Sequence, residues 1–353
     1  MMANGCIGMT AAGIRIAAGR LRNLAGVVRM PDWWEFKLSP ILAIFWGVAL
    51  GCGRPLLPLA STAAVLLVAV AACAVFVSVL NDVTDLEVDR IAGKPNRMRG
   101  HSVLARAALL GIPALIGLGI ATMWRGHPAL AAVYLGSFLA FILYSVPPVR
   151  FKGRAALGVA ADAAGAHLFP TLTATLLAFA AMNLPADRLL IGAACAWSFA
   201  LGVRGILWHQ LGDVAADART GVRTLPRAVA PATIVRLGER VVFPIEVAAL
   251  AILLWTMQAA LACLFLALHL AVLMSRWRRN GIVPAIVTPR PRVAIALHEY
   301  YAMWLPVALI LQSAVRHPAD LILLLLHLML FPARARQVAG EIWRLGRATR
   351  LAA

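Results

Sequence analysis

The chain has 353 residues, 62% of them hydrophobic and 14% charged, with a mean hydropathy of +0.83. Soluble domains run near half apolar and a quarter charged, so this composition excludes an ordinary soluble fold and makes lipid the solvent. The net charge of +18 does not mark a nucleic-acid binder. No basic module with interleaved aromatics is present, and the Arg residues fall in short loops between apolar runs, where membrane topology explains them.

In chain order, residues 1–36 come first. The first acid is Asp32, preceded by Arg15, Arg20, Arg22 and Arg29. This predicts an amphipathic helix lying along the membrane surface. The segment before it lacks serine and a continuous apolar run with a cleavage site, which argues against a targeting peptide. Crossing the hydrocarbon core takes about 20 apolar residues. Suitable runs lie at 38–53, 57–80, 104–123, 128–146, 155–181, 189–208, 241–257, 258–275, 293–313 and 319–333. The expected fold is therefore an all-α polytopic membrane bundle of nine or ten helices. Its main domain covers residues 37–313, and residues 314–353 add a short apolar segment and a basic tail. The stretch 241–275 is too long for one span and needs a break near Gln258. The five cysteines have neither CxxC spacing nor histidines at metal spacing and read as small buried hydrophobes.

Orientation follows from Lys and Arg. With the N-terminus inside and all ten runs crossing, 28 of the 33 basic residues fall inside. Outside lie Arg54, Arg125, Arg188 and Arg316, and Arg204 falls within a span. So uneven a split supports the span boundaries along with the orientation, and it places the N-terminus in the cytoplasm of a bacterial cell membrane.

Two acidic clusters follow the second and sixth spans, both in inside loops that also carry most of the interior charge. The first reads Asn81-Asp82-Val83-Thr84-Asp85-Leu86-Glu87-Val88-Asp89. If the helix continues, Asn81, Asp85 and Asp89 share one face, with Asp82 beside Asp85. The second is Asp213-Val214-Ala215-Ala216-Asp217, with Gly221 and Pro226 marking a loop beyond it. Together they hold six of the fifteen acids. Carboxylates crowded at helix C-termini repel one another and oppose the helix dipole unless a cation neutralises them. Magnesium suits such a site, because it is usually held by one or two carboxylates together with substrate phosphates. Asn81, Asp82, Asp85, Asp89, Asp213 and Asp217 are the expected metal ligands. Lys94, Arg97, Arg150, Lys152 and Arg223, in the adjoining loops, are the expected diphosphate partners, with Asn81 beside them.

Ionisable residues also fall within spans, among them Asp162 and His167 in the fifth, where insertion costs roughly 2.5–3.5 kcal/mol for Asp or Arg and favours facing an interior cavity. Asp162 and Glu299 either meet an acceptor or form buried structural pairs. Arg204 either reaches the diphosphate or snorkels to water. Glu246 lies in the seventh span.

The two motifs, with Tyr144-Ser145-Val146-Pro147-Pro148-Val149-Arg150-Phe151-Lys152 between them and Arg29-Met30-Pro31 before the first span, resemble the signatures of the UbiA superfamily of intramembrane prenyltransferases. The likeness covers residues 29 to 313. It departs at Arg97-Met98, where members have Arg-Pro. The resemblance implies helices around a central cavity capped by the aspartate motifs. It also implies transfer of an isoprenyl group from its magnesium-bound diphosphate to a lipophilic acceptor such as a quinone precursor. It makes Asp82, Asp85, Asp213 and Tyr144 the catalytic group, the tyrosine facing an allylic cation. Alternatives are a membrane terpene cyclase, which uses the same ionisation without a separate acceptor, and a polyprenyl-phosphate sugar-phosphate transferase. A transporter is disfavoured, because its ionisable groups belong near the midplane.

Overall fold

A computed structural model describes residue 19 and residues 23–289 and 291–350. Arg15, Arg20 and Arg22 of the expected surface helix lie outside the described residues.

The chain folds as a bundle of helices: α1 (Ser39–Gly51), α2 (Ala60–Thr84), α3 (Leu86–Ala92), α4 (Val103–Met123), α5 (Pro128–Ser145), α6 (Ala156–Ala163), α7 (Phe169–Ala181), α8 (Arg188–Thr220), α9 (Phe243–Thr256), α10 (Ala260–Asn280), α11 (Leu305–Arg316), α12 (Leu321–Leu330) and α13 (Pro332–Arg350). Among the described residues six stretches are long and apolar enough to cross a membrane: Leu57–Thr84, Val103–Met123, Pro128–Ser145, Ala156–Ala181, Arg188–Thr220 and Ala260–Asn280. The molecule is an integral membrane protein.

Among the described residues four π-helical turns interrupt the bundle, at Trp34–Leu38, Ala164–Leu168, Gly238–Val242 and Tyr300–Trp304. Each is followed by a proline in the first turn of the next helix: Pro40, Pro170, Pro244 and Pro306. Proline lacks an N–H and its ring collides with the carbonyl four residues back. That residue lies inside the π turn in all four cases, so the wider turn absorbs the clash and the helix runs on. Pro113, inside α4, has no such turn.

Helix α1 is the innermost element. Every residue from Ser39 to Ala49 is buried. It packs against α7 on one side and α11 on another, while α8 packs on α6 and α9, and α2 on α4 and α5. Small residues set two of these contacts. A Cβ on Gly51 would come within 2.9 Å of the Met257 backbone, and one on Gly202 within 2.8 Å of Ala163 Cα.

Several expected boundaries shift. The break between α9 and α10 falls at Gln258, which takes a left-handed conformation (φ 52). The ninth run does not start as a helix at residue 293. Val293–Ile295 instead pairs in parallel with Val283–Ala285, residue 283 opposite 293. The last run does not cross as one straight helix. Helix α12 has ten residues, about 15 Å at 1.5 Å per residue, and the chain then bends by 93° into α13. Asp320 opens α12 by accepting from the Leu56 and Leu57 amides (3.1 and 2.7 Å). At its far end Glu35 accepts from the Ala333 and Arg334 amides (2.7 and 2.9 Å). The C-terminal segment is thus tied to both ends of the run that contains α1.

Candidate active site

The second motif lies on a helix, not in a loop. Helix α8 continues past the sixth apolar run to Thr220 and ends on Gly221 in the left-handed region (φ 73). Asp213 and Asp217 therefore stand on its last two turns. In the first motif the helix breaks at Asp85 (φ −105, ψ 7). The spacing survives the break, because the Asp85 amide still bonds to Asn81 O (3.0 Å) and the Asp89 amide to Asp85 O (2.8 Å).

Basic side chains from four directions meet these acids. Arg150 donates to Asp85 (2.9 Å), and Lys152 donates to its other oxygen. Lys94 pairs with Asp213 (3.0 Å), linking the first motif's trailing loop to the second motif. Arg29 pairs with both Asp82 (3.3 Å) and Asp32 (3.2 Å), and Arg97 also reaches Asp32 (3.6 Å). Arg29 and Arg150 both have positive φ, 58 and 36, a conformation uncommon for residues other than glycine. Neutral groups orient the remainder. Asn96 donates to Asp89 (2.8 Å) and to Asp82 O (2.7 Å), Thr224 donates to Asp217 (2.9 Å), and Ser145 donates to Asn81. Glu87 faces away, exposed; its hydrogen bond with Arg90 holds its carboxyl below the usual range.

The acids of both motifs and the cations Arg29, Lys94, Arg97 and Lys152 form the mouth of a cavity of about 850 Å³, while Arg150 reaches it only through Asp85. Asn81, Asp82, Asp85, Asp89, Lys94, Arg97, Tyr144, Lys152, Asp162, Asp213 and Asp217 all line it. Deeper, the wall turns apolar, with Ile41, Val70, Cys73, Ala74, Val77 and Phe141. Asp82 Oδ2 is buried here without a hydrogen-bond partner. Among the described residues no three carboxylate, thiol or imidazole groups converge as a self-sufficient metal site. A magnesium ion shared between one or two carboxylates and substrate phosphates needs no such triad, and the unpartnered Asp82 oxygen fits a cation of that kind.

Three expected positions lie elsewhere. Arg204 does not reach the mouth. Its Nε and Nη2 donate to Glu246 (2.7 Å each), Nη1 donates to Ile286 O (3.3 Å), and Tyr301 donates to the Glu246 carboxylate (2.9 Å). The ion pair is buried between α8 and α9, because a charge held at that depth needs a full counter-ion. Glu299 likewise bonds bidentately to Arg276 (2.9 Å each), with Trp304 donating at 3.3 Å. It takes the structural alternative and does not line the cavity. Arg223 is also absent from the cavity wall. Conversely, Lys37, Asn96, Ser145, His209 and Thr224 hold places that motif reading missed. One signal was available for Lys37. The chain has three lysines against thirty arginines, and all three lysines, Lys37, Lys94 and Lys152, line this one cavity.

Comparison with known proteins supports the same reading of the fold. No curated protein matches. A UbiA homolog from Archaeoglobus fulgidus bound to DMAPP and Mg2+ is similar in structure at 16% identity and a TM-score of 0.50, covering 82% of this chain and 99% of that one. The same homolog bound to GPP and Mg2+ gives 17% identity and a TM-score of 0.48, with 83% and 97% covered. The model of the UbiA prenyltransferase family matches residues 38–284. That range takes in both aspartate motifs, the Tyr144–Lys152 segment and the helices that carry them, and so this chain belongs to the UbiA prenyltransferase family.

Proposed function

We propose that the protein is a magnesium-dependent intramembrane prenyltransferase that moves an isoprenyl group from its diphosphate to a lipophilic acceptor. The observation that carries the reading is the convergence of two acidic helix ends and the cations Lys94, Arg97 and Lys152 at the mouth of an apolar cavity, with Arg150 bonded to Asp85 from outside its wall. The archaeal homolog bound to DMAPP or GPP with Mg2+ supports the choice of substrate and metal.

Asp82, Asp85, Asp213 and Asp217 would hold magnesium, which neutralises the diphosphate and stabilises the charge it gains on leaving. In this chain every cation at the mouth already bonds to a carboxylate, so diphosphate binding exchanges those partners for phosphate oxygens, with charge-assisted bonds on both sides. The carbon–oxygen bond ionises, pyrophosphate leaves, and the acceptor takes the allylic cation and loses a proton. Tyr144 offers its ring face to that cation, worth roughly 0.5–2 kcal/mol. The wall from Val70 to Phe141 takes the tail and excludes the water that would quench the cation.

Purified protein given magnesium and prenyl diphosphates with a lipid extract should release pyrophosphate. Asp82→Asn, Asp85→Asn and Asp213→Asn should each lower that release by roughly 10²–10³-fold, as when one transition-state charge partner is removed, with unchanged thermal unfolding. Full turnover in these folded variants overturns the assignment. Mass spectrometry of the products separates an adduct, expected here, from a cyclised hydrocarbon.

A further inference from the structure

Below the mouth the cavity carries a second polar layer that the ionisation step does not use. Lys37, Asp162 and His209 all line it. Lys37 lies five residues beyond Asp32 along the first helical run, about 7 Å deeper at 1.5 Å per residue, and His209 lies one turn below Asp213 on α8. The side chain of Lys37 is placed by two of the π turns. It sits in Trp34–Leu38, and its Nζ lies 2.7 Å from Nε2 of His167, which sits in Ala164–Leu168. π turns within α-helices recur at functional sites.

The chemistry of this pair is incomplete. An ammonium has three donors and no acceptor, so His167 accepts through Nε2 and two donors remain. Lys94 and Lys152 each pair with a carboxylate. Lys37 forms no ion pair among the described residues, and its one hydrogen-bond partner is the imidazole. Asp162, in the same layer, attracts the ammonium from beyond ion-pair distance, and the two unused donors of so buried a charge are costly unless an anion completes them. The magnesium-bound diphosphate belongs to the layer above, among Asp82, Asp85 and Asp213.

We propose that Lys37, held in place by His167, is the acceptor anchor: it binds an anionic oxygen, a carboxylate, phenolate or phosphate, on the molecule that receives the prenyl group. This deepens the prenyltransferase reading and rests on it. The ammonium binds the anionic oxygen, and the acceptor's nucleophilic atom then points up toward the allylic carbon by Tyr144. His167 is a positioning residue, acting through Lys37.

The test uses full-length protein with magnesium, radiolabelled farnesyl diphosphate and a total extract of the source cells split on an anion exchanger. Labelled adduct is expected from the retained fraction and not from the flow-through. Phosphatase treatment of the retained fraction separates the sources: lost acceptor activity identifies a phosphate, and surviving activity a carboxylate or phenolate. Lys37→Met should raise the KM for the retained acceptor by about 10–100-fold, the worth of one charge-assisted bond, with a much smaller change in the KM for farnesyl diphosphate. Lys37→Arg, which keeps the charge, should recover most of that loss, and this variant decides the matter if Lys37→Met does not fold. His167→Ala should raise the acceptor KM in the same direction, and His167→Gln, which retains an acceptor atom, should raise it less. Adduct formed from the flow-through, or an unchanged acceptor KM in folded Lys37→Met, overturns the anchor and leaves the transferase reading standing. Pyrophosphate release with no adduct from either fraction overturns both.

Discussion

Arg204 and Lys37 show how two buried cations of one chain come to different uses. Arg204 is met along one edge by Glu246, which Tyr301 supports, and its third nitrogen donates to Ile286 O, so no guanidinium nitrogen is left without a partner for a ligand. Removing one member of such a pair strands the other as a buried charge, at about 3–5 kcal/mol. Arg204→Met should therefore lower the thermal stability of the detergent-purified protein sharply, and Arg204→Met with Glu246→Met should recover most of it. Pyrophosphate release should persist in the double variant. Its loss there, with stability restored, would return Arg204 to the diphosphate site. The sequence showed that Arg204 lay inside a span and that such a charge needs a reason. It did not show the partner, because Glu246 is 42 residues away and no local pattern joins the two.

At the scale of the element, the helices carry the site by how they end and where they bend. Helix α8 overruns its apolar stretch by three turns and so raises Asp213 to meet Lys94 and Asp217 to meet Thr224. Its approach to α6 depends on the absence of a side chain at Gly202, where a Cβ would sit 2.8 Å from Ala163 Cα. Gly202→Ala should destabilise the protein by about 1–3 kcal/mol, as overpacking does. Gly192→Ala, on the same helix with open space around it, should be neutral or slightly stabilising through helix propensity. Melting temperatures of the two variants side by side check this. Equal shifts would mean that α8 does not approach α6 so closely. The aspartate spacing on these helices was legible, since i, i+4 acids follow from the helical period alone. The π turns were not. Pro40, Pro170, Pro244 and Pro306 announce a disturbance, but Pro113 sits inside α4 without one, so a proline by itself does not say how the helix will absorb it.

For the molecule as a whole, charge separates one end from the other. In the order of the apolar runs, the motifs and 28 of the 33 basic residues fall on one side, and Arg54, Arg125, Arg188 and Arg316 on the other. We propose from the positive-inside rule that the motif side faces the cytoplasm. In a cysteine-free background, a cysteine replacing exposed Glu87 should be labelled by an impermeant maleimide only after the membrane is opened, and one replacing Arg125 should be labelled in intact cells. The reverse pattern would invert the molecule. The sequence by itself determined the solvent of the fold, most of the helices, the clustering of the acids and the family resemblance. These depend on composition, on periods of three or four residues and on short motifs, all of which are local in the chain. Only the tertiary structure decided which charged residues satisfy one another and which remain for a ligand. Arg204 with Glu246, Arg276 with Glu299, and Lys37 with His167 are each contacts between different helices. A buried charge takes whichever partner the packing of the bundle brings within hydrogen-bond reach.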